Sequence, residues 1–134
     1  MRKKGFTLIE LITVIIIIAI LVALALPQYT RLIERGQGSA ARSGLDSIRK
    51  AEGMYFALNA EYTTDLNLLT TEVPEIARIT NENWSYAINS TAVNANFVAT
   101  ATRLKGAYSS TKQYLNITNE GVVGGSHPSF SNSW

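Results

Sequence analysis

FTLIELITVIIIIAILVALAL, residues 6–26, is the stretch that decides the fold. Its 21 residues are apolar apart from Thr7, Glu10 and Thr13. As an α-helix the stretch is roughly 31 Å long, and the hydrocarbon core of a bilayer is about 30 Å thick. We therefore expect residues 6–26 to form a transmembrane helix.

The formal net charge of +2 is unevenly placed along the 134 residues. Three of the twelve basic residues stand in the first five positions, at Arg2, Lys3 and Lys4. Basic residues in front of a membrane span favour a cytoplasmic N-terminus. Without them nine basic residues face ten acidic ones, so no specific nucleic acid is predicted as a partner.

Pro27 ends the apolar run but not the helical pattern. Small and apolar residues continue at steps of three and four, which indicates an amphipathic helix ending near Leu58. These residues are Tyr29, Ile33, Gly36, Ala40, Gly44, Ile48, Ala51, Tyr55 and Leu58. Most charged side chains, Glu34 and Glu52 among them, are expected on the other sides. The prediction is one helix over residues 6–58, with its second half made for a protein core.

After the helix, residues 59–80 are expected to form a connecting loop. Thr64 or Asp65 is placed to cap one short helical turn, and Pro74 is placed to open another. Beyond them apolar and polar side chains alternate, which is the period of a β-strand. The predicted strands are Trp84–Ile88, Asn96–Leu104 and Gln113–Thr118, with a fourth if Val122 and Val123 pair.

Residues 81–134 are thus predicted to form a small three- to four-stranded antiparallel sheet and an irregular tail. The sheet is expected to pack on the second half of the long helix, which gives an α+β fold. His127, the one histidine, is expected to be solvated in the tail. The chain has no cysteine, so it has neither a disulfide framework nor a thiolate metal site.

The segment Lys3-Lys4-Gly5-Phe6-Thr7-Leu8-Ile9-Glu10 resembles the processing site of type IV prepilins. Pro27, in Ala-Leu-Pro-Gln-Tyr, also matches the helix interruption of that family. The resemblance implies the pilin ladle fold, with residues 1–5 as a leader peptide. A prepilin peptidase is then expected to cleave between Gly5 and Phe6 and to methylate the new amine of Phe6. In the filament, residues 19–26 before Pro27 are expected to lose helical order.

Glu10 stands inside the apolar helix, where a carboxylate costs roughly 2.5–3.5 kcal/mol. Two interpretations of Glu10 are open. The helix dipole favours a negative charge near the N-terminus, which is a purely local role. Alternatively, Glu10 pairs with the amine that cleavage creates on Phe6. In the prepilin family that amine belongs to a neighbouring subunit, and the pair sets the subunit register.

The resemblance implies a structural subunit rather than an enzyme, with no cofactor and no metal site. Its precursor would lie in the bacterial inner membrane and meet the assembly machinery there. The product would be a helical homo-oligomer on the cell surface, serving adhesion, twitching motility or DNA uptake. The alternatives are the major pseudopilin of a type II secretion system and, from another class, a signal-anchored periplasmic binding module that does not assemble. Many pilins close their C-terminal loop with a disulfide, so what stabilises residues 106–134 here stays open.

Overall fold

The computed structural model describes residues 5–92, 96–106, 109 and 113–128. Its helices are α1 (Leu8–Asn59), α2 (Leu66–Glu72) and a 3-10 helix (Pro74–Arg78). Its strands are β1 (Trp84–Ala92), β2 (Asn96–Arg103), β3 (Tyr114–Thr118) and β4 (Val123–Gly125). The chain divides into two compact units, Met1–Ile33 and Glu34–Trp134. This is the predicted α+β class, and the basic residues of the predicted leader, Arg2, Lys3 and Lys4, lie outside the described residues.

In the first unit, α1 presents its apolar side chains outward. An 18-residue window there has a mean hydropathy of 3.1, and none of it is buried. Within the described part of the chain, α1 is the one helix long and apolar enough to cross a membrane. An apolar surface of this extent is normally covered by lipid or by other protein.

The second unit contains the sheet. Among the described residues its four strands are antiparallel and ordered β1-β2-β3-β4, so each strand pairs with its neighbour in sequence. Ala101 of β2 lies opposite Tyr86 of β1 and Leu115 of β3. Alternate residues of β2 are buried, which confirms the period of two that predicted this strand. The four-strand alternative is the correct one, with Val123 opposite Ile117.

The core of this unit lies between the sheet and the second half of α1, as predicted. Ala41, Leu45, Ile48 and Ala51 of the helix belong to one buried cluster with side chains of the sheet. The sheet contributes Trp84, Ile88, Phe97, Ala99, Ala101, Leu115 and Ile117. Gly44 lets β1 approach the helix, because a Cβ there would lie 2.6 Å from the hydroxyl oxygen of Tyr86.

The connecting segment is more ordered than a loop. Asp65, one of the two candidate caps, accepts a hydrogen bond from the backbone N–H of Asn67 and begins α2. Pro74 opens the 3-10 helix, where its missing N–H costs nothing. Leu69 and Ile76 are buried in the core, so packing explains why the segment folds into two short helices.

The buried face of α1 differs from the predicted one. Glu34 and Glu52, expected on the charged sides, are buried, while Gly36 and Ala40, expected on the apolar face, are exposed. Of the nine residues predicted for the apolar face, three are buried and one is half-buried, namely Gly44, Ile48, Ala51 and Tyr55, while Tyr29, Ile33 and Leu58 are exposed as well. The hydrophobic pattern missed the two carboxylates because each has a buried hydrogen-bond partner far away in the sequence, which a helical period does not reveal.

His127 is the clearest correction, because its side chain is fully buried rather than solvated. Its Nε2 lies 3.4 Å from Oε2 of Glu34, and its ring meets Trp84 edge-on at 5.1 Å. Glu34 also accepts two hydrogen bonds from Arg103, from Nη2 at 3.0 Å and from Nε at 3.2 Å. We call Glu34, Arg103 and His127 the buried triad. Its contacts explain why His127 is buried, although the polar residues around it in the sequence predicted an exposed side chain.

Candidate processing and assembly site

Gly5 and Phe6, the predicted cleavage residues, precede α1. Both are exposed and lie outside helix and strand, and Phe6 is 76% exposed. A Cβ built on Gly5 meets no atom within 4 Å, so the described chain leaves the space around this residue open. The peptide bond between the two residues is thus accessible and is not part of a helix.

Thr7 and Glu10 form a capping box at the start of α1. The Thr7 backbone N–H donates to Glu10 Oε2 at 2.8 Å, and the Thr7 hydroxyl donates to the same oxygen at 2.7 Å. In return the Glu10 N–H donates to the Thr7 hydroxyl oxygen at 3.3 Å. This reciprocal pair satisfies two backbone donors that the first helical turn leaves without a partner. Glu10 therefore also has a capping role that neither interpretation of its charge included.

The capping box also places the Glu10 carboxylate at the N-terminal end of the helix. Both of its described hydrogen bonds come from Thr7, the residue that follows Phe6 in sequence. If the chain were cleaved after Gly5, Phe6 would be its first residue, and the Glu10 carboxylate would be bonded to the residue next to it. The geometry is thus compatible with both interpretations of Glu10.

Pro27 lies inside α1, which continues through it. A proline has no N–H, so the carbonyl of Ala23 lacks its usual helical donor. One turn further on, the hydroxyl of Thr30 donates to the carbonyl of Pro27 at 3.0 Å and lies 3.4 Å from that of Leu26. In the free subunit Pro27 is therefore a weak point in a continuous helix. Its behaviour in a filament stays a prediction.

Sequence reasoning missed Thr7 as a partner of Glu10, although the signal was present. Thr7-Leu8-Ile9-Glu10 has the spacing of a capping box, a threonine followed three residues later by a glutamate. The buried triad carried no such signal, because Glu34, Arg103 and His127 are brought together only by the folded second unit. Among the described residues, no group of three or more metal-ligating side chains is found.

Comparison with known proteins identifies the N-terminal segment independently. The family model of the prokaryotic N-terminal methylation motif matches residues 1–26. The type IV narrow pilus major component PilA5 of Thermus thermophilus is 34% identical over 119 residues, covering 88% of this chain and 98% of that protein. The fimbrial protein EcpC of Eikenella corrodens is 32% identical over 124 residues, covering 89% of this chain and 78% of that protein.

A third relative matches over a shorter part. The type IV major pilin protein PilA of Myxococcus xanthus is 36% identical over 66 residues, which cover 49% of this chain and 30% of that protein. The chain therefore spans less than a third of the Myxococcus protein but nearly all of the Thermus one. Two relatives are more than 30% identical to the chain and are covered over most of their length. The methylation motif matches as well, and the fold is α+β. The chain therefore belongs to the type IV pilin family.

Proposed function

We propose that this chain is a subunit of a bacterial type IV pilus, cleaved between Gly5 and Phe6, N-methylated on Phe6 and assembled into a helical homo-oligomer. The observation that carries the proposal is the methylation motif on residues 1–26, joined to a long apolar helix that the subunit does not bury. Proteins of this family are structural, and the peptidase that would process the chain is a separate enzyme.

Cleavage would change the charges at the helix N-terminus. It would remove Arg2, Lys3 and Lys4, and leave nine basic against ten acidic residues. It would also create a positive amine on Phe6. Glu10 is four residues further on, roughly 6 Å along a helix axis. A buried carboxylate and amine gain far more from pairing in an apolar environment than in water.

We propose that on assembly Glu10 exchanges its hydrogen bonds from Thr7 for the amine of a neighbouring subunit. Thr7 would hold the carboxylate in position until that partner arrives. A single charged pair in an otherwise apolar interface is suited to fixing the axial position of each subunit, because every other register leaves a charge without a partner.

The proposed path begins in the inner membrane, where residues 6–26 span the bilayer, and ends on the cell surface. The inner-membrane assembly machinery would supply the energy. In the filament the apolar half of α1 would form the core, and residues 19–26 before Pro27 would lose helical order. The pilin and fimbrial names of the relatives favour a pilus over a secretion pseudopilus. They also favour an assembling subunit over a binding module that stays anchored.

The test is mass spectrometry of filaments sheared from the surface of cells that produce the full chain. We expect an N-terminal peptide that begins at Phe6 and carries one added methyl group on its amine. Gly5→Ala supplies the control, because the added methyl should hinder cleavage and leave uncleaved precursor in the membrane fraction. Filaments whose subunits begin at Met1 would contradict the processing, and the absence of any filament by electron microscopy would contradict the function.

A further inference from the structure

Opposite charges are concentrated in two stretches of the second unit. Residues 35–50 of α1 carry one acidic side chain, Asp46, against the basic Arg35, Arg42, Arg49 and Lys50. Residues 59–80 carry one basic side chain, Arg78, against the acidic Glu61, Asp65, Glu72 and Glu75. This segregation occurs in a chain with little net charge.

The exposed face of α1 in this unit lies between two open grooves. One groove, of about 430 Å³, contains Arg42 and Arg49 beside the β3–β4 turn. The other, of about 280 Å³, contains Arg78 beside β1. Ser43 lines both grooves, so it marks the centre of the surface between them. We call this surface, defined by Arg42, Ser43, Arg49 and Arg78, the basic face.

The charges of the basic face are incompletely matched within the subunit. Asp46 pairs with Arg49 at 3.2 Å and with Lys50 at 2.9 Å, so one carboxylate serves two cations. Arg42 and Arg78 are exposed, and neither has an ion pair with any described residue. Two arginines of the basic face thus present their guanidinium groups to a partner.

The connecting segment has the opposite excess. Glu61, Glu72 and Glu75 are exposed and have no ion pair within the described part of the chain. Glu72 ends α2 and Glu75 lies in the first turn of the 3-10 helix, three residues away. We call these three residues the acidic segment. Two like charges so close in sequence repel one another, and an external cation relieves that repulsion.

We propose that the basic face of one subunit docks on the acidic segment of a second copy of this chain. The basic face and the acidic segment consist of different residues, although Arg78 and Glu75 share the 3-10 helix, so the contact is heterologous. Heterologous contacts that do not close into a ring build open helical filaments. A polyanion or an anionic lipid surface would explain the arginines but not the unmatched carboxylates on the same chain. The proposal rests on the pilus function proposed above and assigns a contact within that filament.

The first test is a charge swap in the full chain. Arg42→Glu with Arg78→Glu should reduce sheared filament at least tenfold, because glutamates would then face glutamates. Adding Glu72→Arg and Glu75→Arg should restore the yield to within threefold of wild type, since each subunit then carries both surfaces with their charges exchanged. The control is Lys105→Glu, which reverses an exposed cation outside the basic face that pairs with Glu82, and it should leave the yield unchanged. Immunoblots of the membrane fraction verify that each variant accumulates.

The second test is disulfide cross-linking, which is clean because the chain has no native cysteine. Ser43→Cys marks the basic face, and Thr71→Cys, beside Glu72, marks the acidic segment without removing a charge. Oxidised filaments of the double variant should give a ladder of covalent multimers on a non-reducing gel. The single variants and Ser43→Cys with Ala87→Cys should give none beyond dimers.

The outcomes separate the docking surface from the function itself. Two results would overturn the docking proposal alone, provided that the wild-type chain forms filaments. One is a normal filament yield from Arg42→Glu/Arg78→Glu, and the other is the absence of a ladder from the Ser43→Cys/Thr71→Cys pair. A wild-type chain that forms no filament would overturn the pilus function. A charge-reversed variant that loses filaments and is not restored by the fourfold swap would assign the basic face to a partner other than a second copy.

Discussion

At the scale of single residues, the buried triad links distant segments of a chain that has no cysteine to form a disulfide. It joins three segments far apart in sequence, because Glu34 lies on α1, Arg103 ends β2 and His127 follows β4. Arg103 also donates to the carbonyl of Asn83 at 3.1 Å and lies 5.2 Å from the centre of the Trp84 ring. Unlike a disulfide, these contacts act only in the folded state. Removing either Glu34 or Arg103 leaves the charge of the other buried without its partner.

Arg103→Met should therefore destabilise the protein by about 3–5 kcal/mol, the usual cost of removing one partner of a buried ion pair. Glu34→Met with Arg103→Met should recover most of that loss, because no charge is then left buried. Chemical unfolding of the full chain in detergent, followed by tryptophan fluorescence, measures both. A double variant as unstable as Arg103→Met would contradict the argument.

Glu52 is the residue that makes stability depend on pH near neutrality. Its carboxylate is buried, Oε2 accepts a hydrogen bond from the Thr63 N–H at 3.1 Å, and Oε1 has no described partner. Burial raises the pKa of Glu52 to about 7, against the opposing hydrogen bond from Thr63. The folded protein thus keeps a proton on Glu52 at pH values where the unfolded chain has lost it.

Stability from this residue should be fully present below the unfolded pKa and fall as the pH rises from 4.5 to about 7. At about 1.4 kcal/mol per pKa unit, the total loss is about 3 kcal/mol. Glu52→Gln is the matched control, because the amide keeps an acceptor for Thr63 and does not titrate. Thermal unfolding of both proteins at pH 5 and pH 8 should show that wild type loses stability relative to Glu52→Gln as the pH rises.

His127 makes stability depend on pH in the opposite direction, and it is present in both wild type and Glu52→Gln. Burial lowers the pKa of its imidazole despite the nearby carboxylate of Glu34. Its contribution to stability is therefore lost as the pH falls below 6.5, the ordinary value, because the unfolded chain then gains a proton that the folded ring resists. Parallel stability curves for wild type and Glu52→Gln would contradict the assignment to Glu52.

At the scale of elements, Gly44 and Gly53 of α1 differ in whether a side chain would fit at their positions. A Cβ on Gly53 meets no atom within 4 Å, whereas a Cβ on Gly44 would meet the ring of Tyr86. Gly53→Ala should stabilise the isolated subunit by about 0.5–1 kcal/mol, because alanine is the better helix former. Gly44→Ala should destabilise it, because β1 must move away from the helix. Thermal unfolding of the two variants beside wild type tests the pair, and equal shifts would contradict it.

The sequence predicted elements well where a period governs them. Residues 96–103 alternate, 8–59 follow a helical period, and Asp65 and Pro74 stand where caps belong. It failed at Glu34, Glu52 and His127, since their burial depends on partners from other elements rather than on local pattern. It also left open the fourth strand, because β4 has three residues and two of them are glycines, too few for a period.

At the scale of the whole molecule, one carboxylate has two roles that removal of its side chain does not separate. Glu10 completes the capping box with Thr7 and, in the proposed filament, pairs with the amine of Phe6 in a neighbouring subunit. Removing the side chain destroys both the cap and the charge. A substitution that keeps the cap and removes the charge distinguishes the local role from the assembly role.

Glu10→Gln is that substitution, because glutamine also serves in capping boxes but carries no charge. If the charge sets the register, Glu10→Gln and Glu10→Ala should both be cleaved, remain in the membrane fraction and be absent from sheared filaments. If the cap alone matters, Glu10→Gln should assemble and only Glu10→Ala should fail. Quantifying processed subunit in the membrane and filament fractions of each strain decides between them. Filament yield from Glu10→Gln equal to wild type would remove the charge pair from the mechanism and leave Glu10 as a helix cap.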